Sequence, residues 1–274
     1  MKVIDVSEHN GRIDFNKVKA FGINAVIIRA GYGRGNVDGR FTENIQNAIK
    51  AGMKIGIYWF SYAYTEAMAA HEAQYCDEVL EPYKNYIKLP VFFDWEYDSM
   101  SYAKKKGFNP DKTLITSINR TFCKAIKSYG YIPGYYTNLD YQNNYLMVSI
   151  LKDFKKWFAY YTSEKQKNCY IWQYTDKGSV SGIQGTVDLN ELYESSAADS
   201  IDDITEDYDM PTIKRGSQGK AVAVWQIIVS AIPDGTFGKE TVQATKIFQK
   251  ENGLTQDGIV GPKTWKKGLE SLNA

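Results

Sequence analysis

The run Phe92-Phe93-Asp94-Trp95-Glu96 ends an apolar stretch in two acids. Burying a carboxylate is costly unless something neutralises or uses it. Alternate residues of a strand point to one side, so Asp94 and Glu96 would face a single site. There one carboxyl would raise the pKa of the other and keep it protonated, the state a general acid needs. An ion-paired strand end would present the same residues. Two further acids have comparable settings, Asp5 in Val3-Ile4-Asp5-Val6-Ser7 and Asp188 in Thr186-Val187-Asp188-Leu189. Four acids without a histidine cluster look more like the carboxyl chemistry of glycoside hydrolysis than metal-assisted hydrolysis. An acidic Mg²⁺ or Ca²⁺ site is the alternative. Arg29, at the end of another apolar run, could pair with these acids or make a structural ion pair.

Such residues must be held by a frame. Apolar, β-branched runs predict strands over 2–7, 24–31, 54–63, 89–97, 132–138, 157–162, 169–175 and 185–189. Helical patterns fall between them over 14–22, 41–51, 65–83, 111–129 and 139–154, the third opened by Thr65 as N-cap. Strands alternating with helices indicate parallel β/α units. The last three strands lack crossover helices, so the expected fold class is α/β, an irregular, TIM-like β/α barrel. Active sites of such barrels lie at the C-terminal strand ends. First and last strands are neighbours once a barrel closes, which would bring Asp5 and Asp188 to flank Asp94 and Glu96.

Residues 196–210 break the pattern. They carry Asp199, Asp202, Asp203, Glu206, Asp207 and Asp209 with no Lys or Arg, the composition of a solvated linker. Residues 211–274 are basic and hold an internal half-repeat, in which Asp234-Gly235-Thr236-Phe237-Gly238 is echoed by Asp257-Gly258-Ile259-Val260-Gly261. The domain reading is therefore a barrel over 1–195, a linker over 196–210 and a small all-α domain over 211–274.

Composition narrows the function. With 274 residues there is length for one large domain and one small one, and the 14% aromatic share, with 21 Tyr, suits either aromatic cores or sugar-stacking surfaces. A net charge of +1 argues against a nucleic-acid partner. Three cysteines (Cys76, Cys123, Cys169) and two histidines neither build a disulfide framework nor show metal-ligand spacing. No apolar run reaches membrane-spanning length and no basic-then-apolar leader opens the chain, so the expectation is synthesis in the cytoplasm without membrane insertion.

The motifs also carry a resemblance. Asp5-Val6-Ser7-Glu8-His9-Asn10-Gly11-Arg12-Ile13-Asp14-Phe15 resembles the opening of the glycoside hydrolase family 25 lysozymes. Asp94-Trp95-Glu96 resembles that family's Asp-x-Glu strand, and Trp172-Gln173-Tyr174 with Val187-Asp188-Leu189-Asn190 its closing motifs. The resemblance implies cleavage of the β-1,4 bond between N-acetylmuramic acid and N-acetylglucosamine in bacterial peptidoglycan, without metal or cofactor. It implies Glu96 as general acid, Asp94 as its partner, Asp5 and Asp188 completing the acidic site, and Tyr62, Tyr136, Tyr161 and Trp172 as substrate contacts. Lys214-Arg215-Gly216-Ser217-Gln218-Gly219, Trp225-Gln226 and Phe248-Gln249 resemble the common peptidoglycan-binding helical domain, for which self-association is a further expectation. Met210 marks a place where an internal translation start would release that domain as a free piece. Kinship with phage lytic enzymes implies release to the wall through a phage pore. The alternative from another class is a non-catalytic protein that keeps the barrel as a scaffold for binding wall glycan.

Overall fold

A computed structural model describes residues 1–193 and 211–271; the acidic stretch 196–210, Met210 included, lies outside the described residues. The chain divides into two compact units, Met1–Ile201 and Asp202–Ala274.

In the first unit, strands β1 (Lys2–Val6), β2 (Ala25–Tyr32), β3 (Asn36–Val37), β4 (Lys54–Phe60), β5 (Ile87–Asp94), β6 (Pro133–Asn138), β7 (Lys155–Ala159), β8 (Ile171–Gly178) and β9 (Val187–Leu192) form one sheet. Their order is β1-β9-β8-β7-β6-β5-β4-β2-β3, and pairing of β1 with β2 closes it into an eight-stranded barrel with the two-residue β3 as an outlying edge. Helices α1 (Phe15–Ala20), α2 (Phe41–Lys50), α3 (Glu66–Leu80), α4 (Tyr97–Lys105), α5 (Lys112–Ser128) and α6 (Leu139–Asn144) occupy the connections. Capping side chains start several of them: Thr65 Oγ1 accepts from Met68 N at 3.2 Å, Asp111 from Leu114 N at 2.8 Å and Asn138 from Tyr141 N at 2.9 Å.

Strands covered on both sides read as continuous apolar runs, and Ala25-Val26-Ile27-Ile28 shows how the faces divide. Ala25 and Ile27 join Val3, Phe92, Trp157 and Ile171 inside the barrel. Val26 and Ile28 join Trp59, Phe93, Ile118 and Phe122 between the strands and the helices. The inner core is dominated by large rings, with Phe92 and Tyr136 packed on Trp157 at centroid separations of 5.3 and 4.8 Å.

Several expected bounds change. The last strand spans Val187–Leu192 rather than 185–189 and runs antiparallel to both β1 and β8. Only residues 179–186 separate it from β8, too short a path for a parallel crossover. The helix expected over 139–154 stops at Asn144, after the poor helix formers Asn143 and Asn144, and resumes only as a 3₁₀ turn at Val148–Ile150. Helix α4 was not expected, because its residues follow directly on a strand that the apolar pattern extends to Tyr97.

The second unit contains α7 (Lys220–Ile228), α8 (Lys239–Glu251) and α9 (Pro262–Ser271) around Trp225, whose ring meets Phe248 and Trp265 edge-on at 5.2 Å each. The half-repeat is structural. Gln226 Nε2 donates to Asp234 Oδ1 (2.8 Å) and Thr236 O (3.0 Å) while its Oε1 accepts from Gly235 N (2.9 Å). Gln249 makes the same set with Asp257 (2.8 Å), Ile259 (2.9 Å) and Gly258 (2.9 Å). Gly235 and Gly258 both sit at φ 73°, which favours glycine. Among the described residues no helix is long and apolar enough to cross a membrane.

Gly134 on β6 makes room for the ring-filled interior, since a Cβ there would press into the Phe92 ring and lie 2.8 Å from Lys155 O. Gly134→Ala is expected to lower unfolding stability by about 1–3 kcal/mol through overpacking. Denaturant melts of the two proteins measure this, and superimposable curves would show that the interior has slack.

Candidate active site

Strand β5 delivers the central acids. Phe92 points into the barrel and Phe93 away from it, so Asp94 points inward. Trp95 again turns outward, where its Nε1 donates to Ala63 O at 2.8 Å. That leaves Glu96 on the inner side with Asp94, as the N-cap of α4. The two carboxyls are close enough for each to act on the pKa of the other. Burial, reinforced by the Glu96 charge, pushes the Asp94 pKa well above the ordinary carboxylate range. Burial also raises Glu96, while the neighbouring Asp94 carboxyl works in the opposite sense. Asp94 Oδ1 has no hydrogen-bond partner among the described residues.

A second carboxyl pair lies across the closure of the barrel. Asp5 on β1 stands in register with Asp188 on β9, and the two carboxyls act on each other's pKa. The antiparallel sense of β9 puts its second residue on the rim where the parallel strands end. Asp5 Oδ2 also accepts from Asn190 Nδ2 (2.7 Å) and Gln173 Nε2 (3.1 Å). Burial and the nearby Asp188 charge raise the Asp5 pKa despite these donors. Burial likewise raises Asp188. The four acids thus meet as two neighbouring pairs, all with raised pKa values. Among the described residues no group of three or more His, Cys, Asp or Glu side chains is placed to hold a metal ion.

Gln173 links this second pair to the aromatic wall. Its Oε1 accepts from both Tyr136 Oη and Tyr161 Oη at 3.1 Å, so one buried amide ties Asp5 to two tyrosines. Tyr136 is buried, whereas Tyr161 is 51% exposed and offers an open ring at the mouth. Tyr62 follows β4, packed between Phe60 (5.2 Å) and Tyr102 of α4 (5.1 Å). Trp172 is not brought to the acids. It occupies the position between Ile171 and Gln173 and therefore faces out of the barrel, where it packs with Phe158 and Cys169 and its Nε1 donates to Tyr160 O at 2.8 Å.

Arg29 takes the structural option. Its guanidinium pairs with Asp38 at 2.7 Å and Glu8 at 2.8 Å, and acts on Asp94 only as a nearby positive charge that pulls its pKa down. Gln173, Asn190 and Tyr58 were not singled out from the sequence. The first two lie inside the closing motifs, but only strand direction reveals which motif residues point inward. Tyr58 is held among the acids, with burial and then the Asp5 charge pushing its hydroxyl pKa up.

Comparison with known proteins agrees with this geometry. Residues 4–183 match the family described as Glycosyl hydrolases family 25, and residues 227–267 match the peptidoglycan binding domain. An autolytic lysozyme of Clostridium acetobutylicum is 30% identical over 288 aligned residues, covering 96% of this chain and 77% of that protein. The structure of the modular autolysin LytC from Streptococcus pneumoniae superposes with a TM-score of 0.61 at 32% identity, covering 70% of this chain and 46% of the autolysin, so the chain spans about half of that protein's length. The bacterial lysozyme of Streptomyces coelicolor shares the fold at a TM-score of 0.59 and 24% identity, over 73% of this chain and 94% of its own. Motif order, barrel closure, buried acids and these matches converge: the chain belongs to the glycosyl hydrolases of family 25 and carries a peptidoglycan-binding domain C-terminal to the barrel in sequence.

Proposed function

We propose that the chain is an N-acetylmuramidase, hydrolysing the β-1,4 bond between N-acetylmuramic acid and N-acetylglucosamine while the small unit holds it on the bacterial wall. The observation that carries this reading is the Asp94–Glu96 pair at the barrel mouth, Asp94 buried and Glu96 half-buried beside it. Glu96 is the general acid. A sugar ring seated over the mouth removes what water Glu96 retains and favours its protonated form. Once the proton passes to the leaving oxygen, the new carboxylate sits at the N-terminus of α4, where the helix dipole favours negative charge. Asp94 stays beneath it as the partner that balances charge developing on the sugar.

Asp5 and Asp188 supply a second negative wall. With one oxygen taken up by two amide donors, Asp5 is a fixed electrostatic group rather than a mobile base. Tyr161 and Tyr62 offer rings to the glycan, and Tyr136 sets the Gln173 amide. In the second unit, the match of residues 227–267 to the peptidoglycan binding domain supports a binding role. The site of action is the cell wall.

Replacing Glu96 with Gln keeps the shape but removes the donated proton. E96Q is expected to lose at least about a hundredfold in wall lysis with an unchanged fold. Turbidity loss on purified walls measures the rate, and mass spectrometry of new reducing-end muramic acid identifies the bond cut. A folded E96Q protein at near-parental rate would remove Glu96 from this role. Parental protein that binds walls without cutting them would favour a non-catalytic glycan-binding protein.

The division into residues 1–195, a linker over 196–210 and residues 211–274 is part of the same reading. Cleavage within the linker is expected to leave the barrel fully active on soluble glycan but about tenfold or more weaker on whole walls, because tethering supplies local concentration. The small piece should co-sediment with walls. Its failure to do so would contradict the targeting role, and a strictly monomeric piece in ultracentrifugation would end the idea of self-association through it.

A further inference from the structure

Helix α3 packs against the outside of the barrel, yet Glu72 within it is only 1% exposed. Burial raises its pKa to about 7, with the Ser61 hydroxyl and the Tyr62 N–H pulling the other way and no charged group contributing. A carboxyl in that place is costly unless it satisfies something. Its Oε1 accepts from Tyr62 N at 3.1 Å, while its buried Oε2 has no hydrogen-bond partner among the described residues.

Ser61 and Tyr62 are the first residues of the segment after β4, and that segment is fastened to the acidic strand and the start of α4 at Ser61 and Ala63. Ser61 N donates to Asp94 O at 2.7 Å. Ser61 O accepts from Ser99 Oγ at 2.6 Å, and Ser99 Oγ in turn accepts from Glu96 N at 3.0 Å. Ser61 Oγ accepts from Ala63 N at 3.0 Å, and Ala63 O accepts from Trp95 Nε1 at 2.8 Å. Glu72 therefore holds one end of the Ser61–Tyr62 turn, whose other end is bonded to the backbone of Asp94 and, through Ser99, of Glu96.

We propose that Glu72 is a positioning residue of the active site, which clamps the Ser61–Tyr62 turn and through it holds the Tyr62 ring beside the glycan and the backbone of Asp94 and Glu96 in place. This role presupposes the muramidase reading and adds to it a residue that touches no substrate. It is a matter of reach. Glutamine at 72 keeps an acceptor at the same distance from the Tyr62 N–H, while aspartate keeps the carboxyl but withdraws it by one methylene.

The test uses the full chain and its E72Q and E72D variants on soluble peptidoglycan fragments, with hydrogen exchange of the Tyr62 amide read in parallel. E72D is expected to lose about tenfold in kcat and to gain about threefold in KM, with Tyr62 N–H exchange at least tenfold faster. E72Q is expected to recover kcat to within about threefold of the parent and to keep the amide protected. In a Tyr62→Ala background the KM effect of E72D should vanish, because the ring it positions is gone. The role is overturned if E72D keeps parental kcat and KM, if E72Q falls as far as E72D, or if the KM effects of E72D and Tyr62→Ala simply add. The exchange rate reads the clamp without catalysis, so an inactive parent would sink the muramidase reading while leaving the clamp to be judged by the Tyr62 amide alone.

Discussion

Two carboxyl pairs at the mouth of a closed barrel, each with one member buried (Asp5, Asp94) and one half-buried (Asp188, Glu96), are the constraint on which the rest of the first unit depends. The pKa values of Asp94 and Glu96 are raised because Phe92 and the Trp157-centred ring cluster dry the strand below them and Arg29 is already engaged by Asp38 and Glu8. Were the guanidinium free to bond Asp94 directly, that aspartate would stay ionised and no proton would be retained. Barrel closure serves the same end, since only the pairing of β1 with β9 sets Asp5 against Asp188.

This arrangement opposes folding as ordinary pH is approached. A carboxyl whose folded-state pKa is raised binds its proton more tightly in the native chain than in the unfolded one. Its contribution is whole below the unfolded pKa of about 4 and is lost as pH rises through the raised value. Asp5, Asp94, Glu96 and Asp188 are all raised by burial. The apolar interior and the outer helix layer must therefore offset an active site that is least comfortable near neutrality, and Gln173 and Asn190 reduce that strain at Asp5 without abolishing it.

Much of this was legible in the sequence, because strand periodicity is simple. Two acids two apart at the end of an apolar run share a face in any register, so Asp94 and Glu96 could be paired before any coordinates existed. Asp5 and Asp188 followed from closure, although the antiparallel direction of β9 did not. Trp172 fell to the one-residue alternation of β8: it and Gln173 are adjacent in the motif, and only the outer cluster of Phe158 and Cys169 shows which of them faces in. Glu72 was hidden for a different reason. A polar residue on a helix ordinarily reads as a solvated face, and its partners are backbone and hydroxyl groups that carry no sequence signature. Helix α4 was masked by the strand pattern running into it. The second unit's repeat was visible as Asp-Gly turns, but the glutamines that staple each turn emerge only from the matching hydrogen bonds of Gln226 and Gln249.

The most direct measurement of the central claim is the unfolding free energy of the parent and of Asp94→Asn across pH 4 to 8. Asparagine fills the same space but carries no ionisable proton, and can donate to Glu96 at every pH. If burial holds the acids above their ordinary range, the parent loses stability as pH rises, and D94N becomes more stable than the parent at pH 8 by about 1 kcal/mol or more. The advantage should shrink toward pH 4. A D94N protein less stable than the parent at pH 8, or a parent whose stability does not change over this range, would contradict the account.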